Sequence, residues 1–499
     1  MTSIAVRKKN HAFLHVETEP SVKNEISDFF TFFVPGYKFM PAYKNKMWDG
    51  RIRLYDVRSS ELPIGLYFYL KEFADTPGRD YHISLEHDNE YGIVGSEEVA
   101  NMDWMQQLTL TSKGKTITPK EYQLEAIYYS LMNKNALLVS PTASGKSLII
   151  YCLIRWFLDN SDKKALIIVP TTSLVQQMYS DFADYSQYDE GFHESICHRI
   201  YAGKPKFANQ ERVVISTWQS IYKLPGSWFE QYGAVFGDEA HNFKAKSLIS
   251  ILSKMREAEY RFGTTGTLDG TQTHKLVLEG HFGPAYYVTS TKTLMDSGDL
   301  AELNISVLLL KYEEKYCKLI NKVKYQEELD FIVTHEPRNR FITNLALDQE
   351  GNSLVLYQYV EKHGKPLYDL VKTKAHARRK VFFVSGGTDV DTREEIRKIT
   401  ENEKNAIIVA SLGTFSTGIN IRNLHNIIFA SPSKSQIRIL QSIGRGLRKS
   451  DNGVATKLFD IADDLHWKRN KNYTLNHAAE RIKIYSKEKF KFKIYEVNI

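Results

Sequence analysis

A chain of 499 residues and 57.5 kDa is too long for one hydrophobic core and suggests about three domains, or two large ones with an appendage. With 42% hydrophobic and 25% charged residues and only 28 Gly and 14 Pro, it is a folded globular chain, which excludes fibrous and disordered classes. The net charge of +7 is modest, and three scattered cysteines, Cys152, Cys197 and Cys317, exclude a disulfide framework and a cysteine zinc site.

The segment Met1 to Asn24 is polar and mixed in charge rather than signal-like, and no apolar run approaches the roughly 18 residues of a membrane span. The expectation is a cytoplasmic protein with no membrane partner. Residues 1–110 read as a small α+β domain, in which Phe29, Phe30, Phe32, Phe33, Tyr37 and Phe39 precede the cationic stretch Lys44 to Asp56. Most of these aromatics are expected in a core, as aromatics usually are. Trp48, Arg51 and Arg53 are the exception, because a Trp among cations suits a DNA-contacting surface.

From about residue 118, short runs rich in Val, Ile and Phe alternate with helical patterns. Strands are expected at Ala136 to Val139, Ala165 to Val169, Val213 to Ser216 and Ala234 to Phe236, then at Ser353 to Tyr357, Val381 to Val384, Ala406 to Ala410 and Ile427 to Ala430. Such a series indicates two α/β lobes with parallel sheets buried on both faces, over residues 111–300 and 301–499, joined near residues 296–306. The span Glu302 to Pro337 reads as either a strand-splitting hairpin or a lobe connection. From His466 to Ile499, nine Lys or Arg stand against three acids, which fits a solvated basic helix or tail or a phosphate-contacting surface.

Three motifs carry chemistry. Ser140-Pro141-Thr142-Ala143-Ser144-Gly145-Lys146-Ser147 lies between an expected strand and an expected helix, the context in which a loop and a helix N-terminus bind phosphate. Lys146 would reach the β- and γ-phosphates and Ser147 would ligate Mg²⁺; Ser140 replaces the first glycine of the usual pattern. Gly237-Asp238-Glu239-Ala240-His241 follows a buried strand, placing Asp238 to hold the metal and Glu239 to polarise the attacking water. In the second lobe, Gln441-Ser442-Ile443-Gly444-Arg445-Gly446-Leu447-Arg448 puts Arg445 and Arg448 on one helical face, where both can meet one anion. Taken alone, such a pair equally suits a solvated surface.

In this order, the motifs resemble those of the superfamily 2 helicases. The resemblance implies two RecA-like lobes, ATP and Mg²⁺ as cofactors, and catalytic roles for Lys146, Asp238, Glu239, Arg445 and Arg448. It implies nucleotide contacts from Gln123, from Pro141 to Ser147 and from Gln441. Thr265-Gly266-Thr267 resembles the motif that links hydrolysis to lobe movement, making Thr265 and Thr267 the coupling residues. Thr171, Thr217 and Thr417 stand in motifs that touch the nucleic-acid backbone. The segments Trp48 to Leu54, Ile167 to Thr172, Phe415 to Ile419 and Asn423 to His425 resemble the phage recombination helicases in particular. That narrower likeness implies a monomeric DNA motor on Holliday junctions, forks and displacement loops, driving branch migration or fork regression, with a single-strand-binding protein as a candidate partner. Two alternatives stay open: an ATP-gated nucleic-acid clamp, or an RNA helicase that remodels locally without translocation.

Overall fold

In a computed structural model, the alternating apolar runs of the sequence become two sheets of seven strands. The structure describes residues 2–34, 36–79, 81–85, 101–242, 245–266, 268, 272–418, 421, 423–432 and 455–499. The chain divides into two units, residues 1–140 with 145–288 and residues 141–144 with 289–499.

The first unit opens with β1 (Thr2–Lys8), β2 (Phe13–Glu17), β3 (Thr31–Phe33), β4 (Arg51–Arg53), β5 (Glu61–Pro63) and β6 (Tyr81–Leu85). These make a sheet in the order β5-β2-β1-β6 and a separate ribbon, β3-β4. Alternate residues of β1 and β2, among them Ile4, Val6, Leu14 and Val16, point into one core, which also takes Leu276 and Val277 from the helix Gln272–Phe282. The small domain is thereby packed on a helix of the larger fold. Of the six early aromatics, Phe30 alone is fully buried. Phe29, Phe33 and Phe39 are 39%, 45% and 80% exposed, which corrects the expectation of a mostly buried set: the β3-β4 ribbon sets only Phe32 and Ile52 against the core, and the arm between its strands stands outside it.

After a short hairpin, β7 (Thr111–Ser112) and β8 (Lys115–Thr116), come β9 (Asn135–Val139), β10 (Lys164–Val169), β11 (Cys197–Ile200), β12 (Val213–Thr217), β13 (Tyr232–Gly237), β14 (Tyr260–Thr265) and β15 (Ala285–Tyr287). They pair in parallel in the order β11-β12-β10-β13-β14-β9-β15. Period-2 alternation sends Leu138, Ile167, Ile215 and Phe236 into the core on one face and Leu137, Ile168, Val214 and Val235 into the core on the other. Hence these strands read as unbroken apolar runs.

The second unit contains β16 (Leu303–Lys311), β17 (Ser353–Tyr357), β18 (Val381–Val384), β19 (Ile407–Ser411), β20 (Asn426–Phe429), β21 (Thr456–Asp464) and β22 (Phe492–Asn498), all parallel, in the order β18-β19-β17-β20-β21-β16-β22. The span once open to a hairpin is instead the sheet strand β16 followed by the helices Glu314–Ile320 and Tyr325–Thr334. In the basic C-terminal segment the helix, of the helix or tail expected, is what forms. The segment holds the helix Tyr473–Lys487 and the edge strand β22, and Arg481 is 1% exposed, paired with Asp460 at 2.8 Å. Among the described residues no helix is long and apolar enough to cross a membrane.

Candidate nucleotide site and nucleic-acid contacts

Because all seven strands of the first unit's larger sheet are parallel, the segments following β9, β10 and β13, and the ends of β12 and β14, share one edge. In open α/β sheets this is the ligand-binding edge. The P-loop leaves β9 with Ser140, whose N–H donates to the Thr265 carbonyl at 2.9 Å. Ala143 (φ +68°) and Gly145 (φ +81°) are left-handed and turn the chain into the helix Lys146–Asn160. Gly145 at the N-cap brings no capping oxygen, so the electropositive first turn suits an anion. A Cβ on Gly145 would collide with the Gln123 amide nitrogen. Gln123 is buried, and its carbonyl oxygen accepts from the Lys120 N–H at 2.8 Å, so this side chain braces the loop from below.

Lys146 Nζ donates to the Ser140 carbonyl at 3.2 Å and lies 3.9 Å from Glu239 Oε1. Glu239 is itself left-handed, at φ +49°, an uncommon state for a side chain of its size and a form of strain found at functional sites. Asp238 continues the β13 ladder, its N–H donating to the Ile168 carbonyl at 2.9 Å. Its Oδ1 accepts from the Thr264 hydroxyl at 2.6 Å. Burial, and then the neighbouring Glu239 charge, push the Asp238 carboxyl up to about 6, against the opposing pull of Lys146 and Thr264. His241 Nδ1 lies 2.6 Å from the Thr265 hydroxyl and 3.6 Å from Glu239 Oε2. The acidic box is therefore tied to the end of β14 at two points.

A buried carboxylate whose ionisation burial opposes is a fitting place for a cation. Among the described residues no group of three or more His, Cys, Asp or Glu forms a metal cage. One hydroxyl and one carboxylate completed by phosphate and water form the sparse set that magnesium uses. Ser147, the hydroxyl in question, has its Oγ 2.9 Å from the Tyr185 hydroxyl.

Structure adds two residues that sequence reasoning missed. Thr264 meets Asp238 because β13 and β14 pair Gly237 with Gly263, a register no local motif announces. Tyr185, at the end of the helix Thr172–Tyr185, reaches Ser147 only through tertiary packing. Thr171 caps that helix, its hydroxyl accepting from the Leu174 N–H at 3.3 Å. Thr217 is buried, with its hydroxyl 2.9 Å from that of Ser220, and Gln219 donates to the Pro170 carbonyl at 3.1 Å, so the two segments expected to meet the nucleic-acid backbone are braced on each other. In the first domain, Trp48 Nε1 donates to the Arg51 carbonyl at 2.8 Å, and Arg53 pairs with Asp49. Thr417 lies in the helix Leu412–Gly418. Thr267, Gln441, Arg445 and Arg448 lie outside the described residues.

Residues 3–86 match the family model for the N-terminal part of DNA helicase UvsW. Residues 116–270 match the type III restriction enzyme res subunit, and residues 337–450 the helicase conserved C-terminal domain. The chain is 36% identical to the ATP-dependent DNA helicase uvsW of Enterobacteria phage T4, across 98% of this chain and 99% of that protein. It belongs to the UvsW helicase family. The crystal structure of T4 UvsW is similar at 34% identity and a TM-score of 0.51, over 99% of both chains. The DNA 3'-5' translocase XPB2 of Sulfurisphaera tokodaii is 24% identical, over 66% of this chain and 79% of that protein. The UvsW assignment accounts for the small first domain as well as the two parallel sheets, which in this family are RecA-like lobes.

Proposed function

We propose that this chain is an ATP-dependent DNA helicase and translocase acting on branched DNA, namely Holliday junctions, forks and displacement loops, and driving branch migration or fork regression in recombination, repair and replication restart. The observation that carries this reading is the P-loop lysine 3.9 Å from the DEAH glutamate in a chain with end-to-end likeness to a helicase of that name.

Lys146 and the first turn of its helix bind the β- and γ-phosphates, while Ser147 and Asp238 would hold magnesium, which would supply charge neutralisation at the phosphates. Glu239 orients the attacking water and takes its proton. Arg445 and Arg448, with Gln441, come from the second lobe and stabilise the phosphoryl charge. Gln123, braced on the loop, serves the adenine end, since its amide offers a donor and an acceptor. Thr265 and Thr267 transmit the change in bound nucleotide to lobe movement. Thr171, Thr217 and Thr417 grip the DNA backbone without reading sequence, and differential grip between nucleotide states converts hydrolysis into steps. Trp48, Arg51 and Arg53 add a contact from the small domain.

The division is residues 1–110 for the DNA-contacting domain, 111–300 for the first lobe and 301–499 for the second. The protein works as a monomer in the cytoplasm of the infected host, with a single-strand-binding protein as candidate partner. The test compares ATP-driven processing of a four-way junction, a fork, a blunt duplex and an RNA duplex in one assay. Branched DNA should be processed fastest; preference for the RNA duplex, or binding without strand movement, would replace this reading with one of its alternatives.

A further inference from the structure

The arm between β3 and β4 carries Trp48, but its exposed apolar side chains have no place in the contacts above. Phe39 and Met47 are each 80% exposed and Met40 is 38% exposed, an unusual concentration of bare apolar side chains within nine residues. Around them stand the exposed cations Lys38, Lys44 and Lys46, with Arg51 and Arg53 on β4, against the single acid Asp49. Like charge at that density opposes self-association through this surface and favours a polyanion.

The arm is stiff. The Val34 N–H donates to the Gly50 carbonyl at 2.8 Å, Phe33 and Tyr37 stack at 4.7 Å, and Tyr43 meets Tyr37 edge-on at 4.7 Å. The Arg51 guanidinium lies over the Phe33 ring at 4.6 Å. The mount is stiff too. Phe32 and Ile52 pack on the core of the first domain, and Tyr69 donates to the buried Glu279 carboxylate at 2.6 Å. Gly65 approaches the Glu279 backbone so closely that a Cβ would overlap its carbonyl oxygen. The arm is thus fixed to the helix Gln272–Phe282, part of the same unit as Lys146.

We propose that Phe39 and Met47 form a wedge that enters the base stack at a DNA branch point while the surrounding lysines hold the flanking phosphates. Large apolar side chains inserted between base steps unstack them, and the cost is offset by the phosphate contacts made alongside. A wedge must be rigid relative to the motor that drives DNA onto it, and this arm is packed within the same compact unit as Lys146. The inference rests on the reading of the chain as a DNA motor and names the element that parts the strands.

The test uses the full chain carrying Phe39→Ala and Met47→Ala together, both at exposed positions, and a fork with 2-aminopurine at the branch. The parent should brighten the 2-aminopurine on binding without ATP. The variant should lose that signal and displace about tenfold less strand per ATP hydrolysed, while hydrolysis stimulated by single-stranded DNA stays within about twofold. Equal brightening and equal displacement by parent and variant would overturn the wedge and leave the motor standing. Loss of binding to an acidic peptide with branch unstacking intact would reassign the arm to a protein partner and also overturn it. A parent lacking any DNA-stimulated hydrolysis would instead sink the motor reading, and the wedge with it.

Discussion

Lys146 is held between the Ser140 carbonyl and Glu239, partners that the proposed mechanism has it exchange for phosphate oxygens. Lys146→Ala should lower DNA-stimulated phosphate release by at least about a hundredfold while single-strand affinity stays within about threefold, read by fluorescence anisotropy. Retained hydrolysis would contradict the P-loop assignment. Arg445→Ala should keep ATP affinity within a modest factor and slow turnover by about 10³-fold or more, measured as kcat against KM; unchanged turnover would exclude it as a finger. The loop after β9 and the acidic turn after β13 were legible in the sequence as strand-end elements because each is a few consecutive residues. Thr264 and Tyr185 were not, since one reaches the site through strand register and the other through helix packing, and neither leaves a local trace.

The interior strands β9, β10, β12, β13, β17, β19 and β20 were legible as elements because burial on both faces leaves no polar alternation to blur them, whereas β14 and β21, also inside their sheets, were not expected. Among the edge strands β18 was legible but β22 was not: it runs Phe-Lys-Ile-Tyr-Glu-Val-Asn and is largely exposed, so its pattern looks like a basic helix or tail. Its ladder with β16 and the Arg481–Asp460 pair beneath it make the C-terminal segment structural. Arg481→Ala should cost about 3–5 kcal/mol, because it strands a buried carboxylate, and removing residues 481–499 should unfold the second lobe rather than alter salt dependence alone. Urea denaturation followed by circular dichroism checks both, and a folded truncation of native stability would refute this. The aromatic arm escaped for the opposite reason: its residues look like core, and only a structure shows that most of them have none to enter.

Across the whole molecule, His281 and His363 are buried, one in each unit, and held near pKa about 3 chiefly by desolvation, with the Arg261 and Arg338 charges adding to it. Their folded values lie below the ordinary 6.5, so the stability they confer is complete above pH 6.5 and is lost as pH falls. The loss is about 1.4 kcal/mol per pH unit for each. Asp238, raised to about 6, works in the opposite sense and offsets part of it. Unfolding free energy should therefore drop by a few kcal/mol between pH 7 and pH 5, and His281→Leu should flatten that slope for the first unit. A slope unchanged by the substitution would exclude the histidine as its source.

At this scale the two-lobe motor was legible in the order of its motifs, whereas the bracing of its first domain against one lobe was written only in tertiary contacts such as Tyr69 with Glu279. The measurement that bears most directly on the molecule as a DNA motor is phosphate release by the full chain with a four-way junction and without it, with junction processing followed in the same reaction. Hydrolysis that rises on adding the junction and proceeds in step with branch movement is the predicted result. Hydrolysis indifferent to DNA, or branch movement that continues in the Lys146→Ala protein, would contradict it.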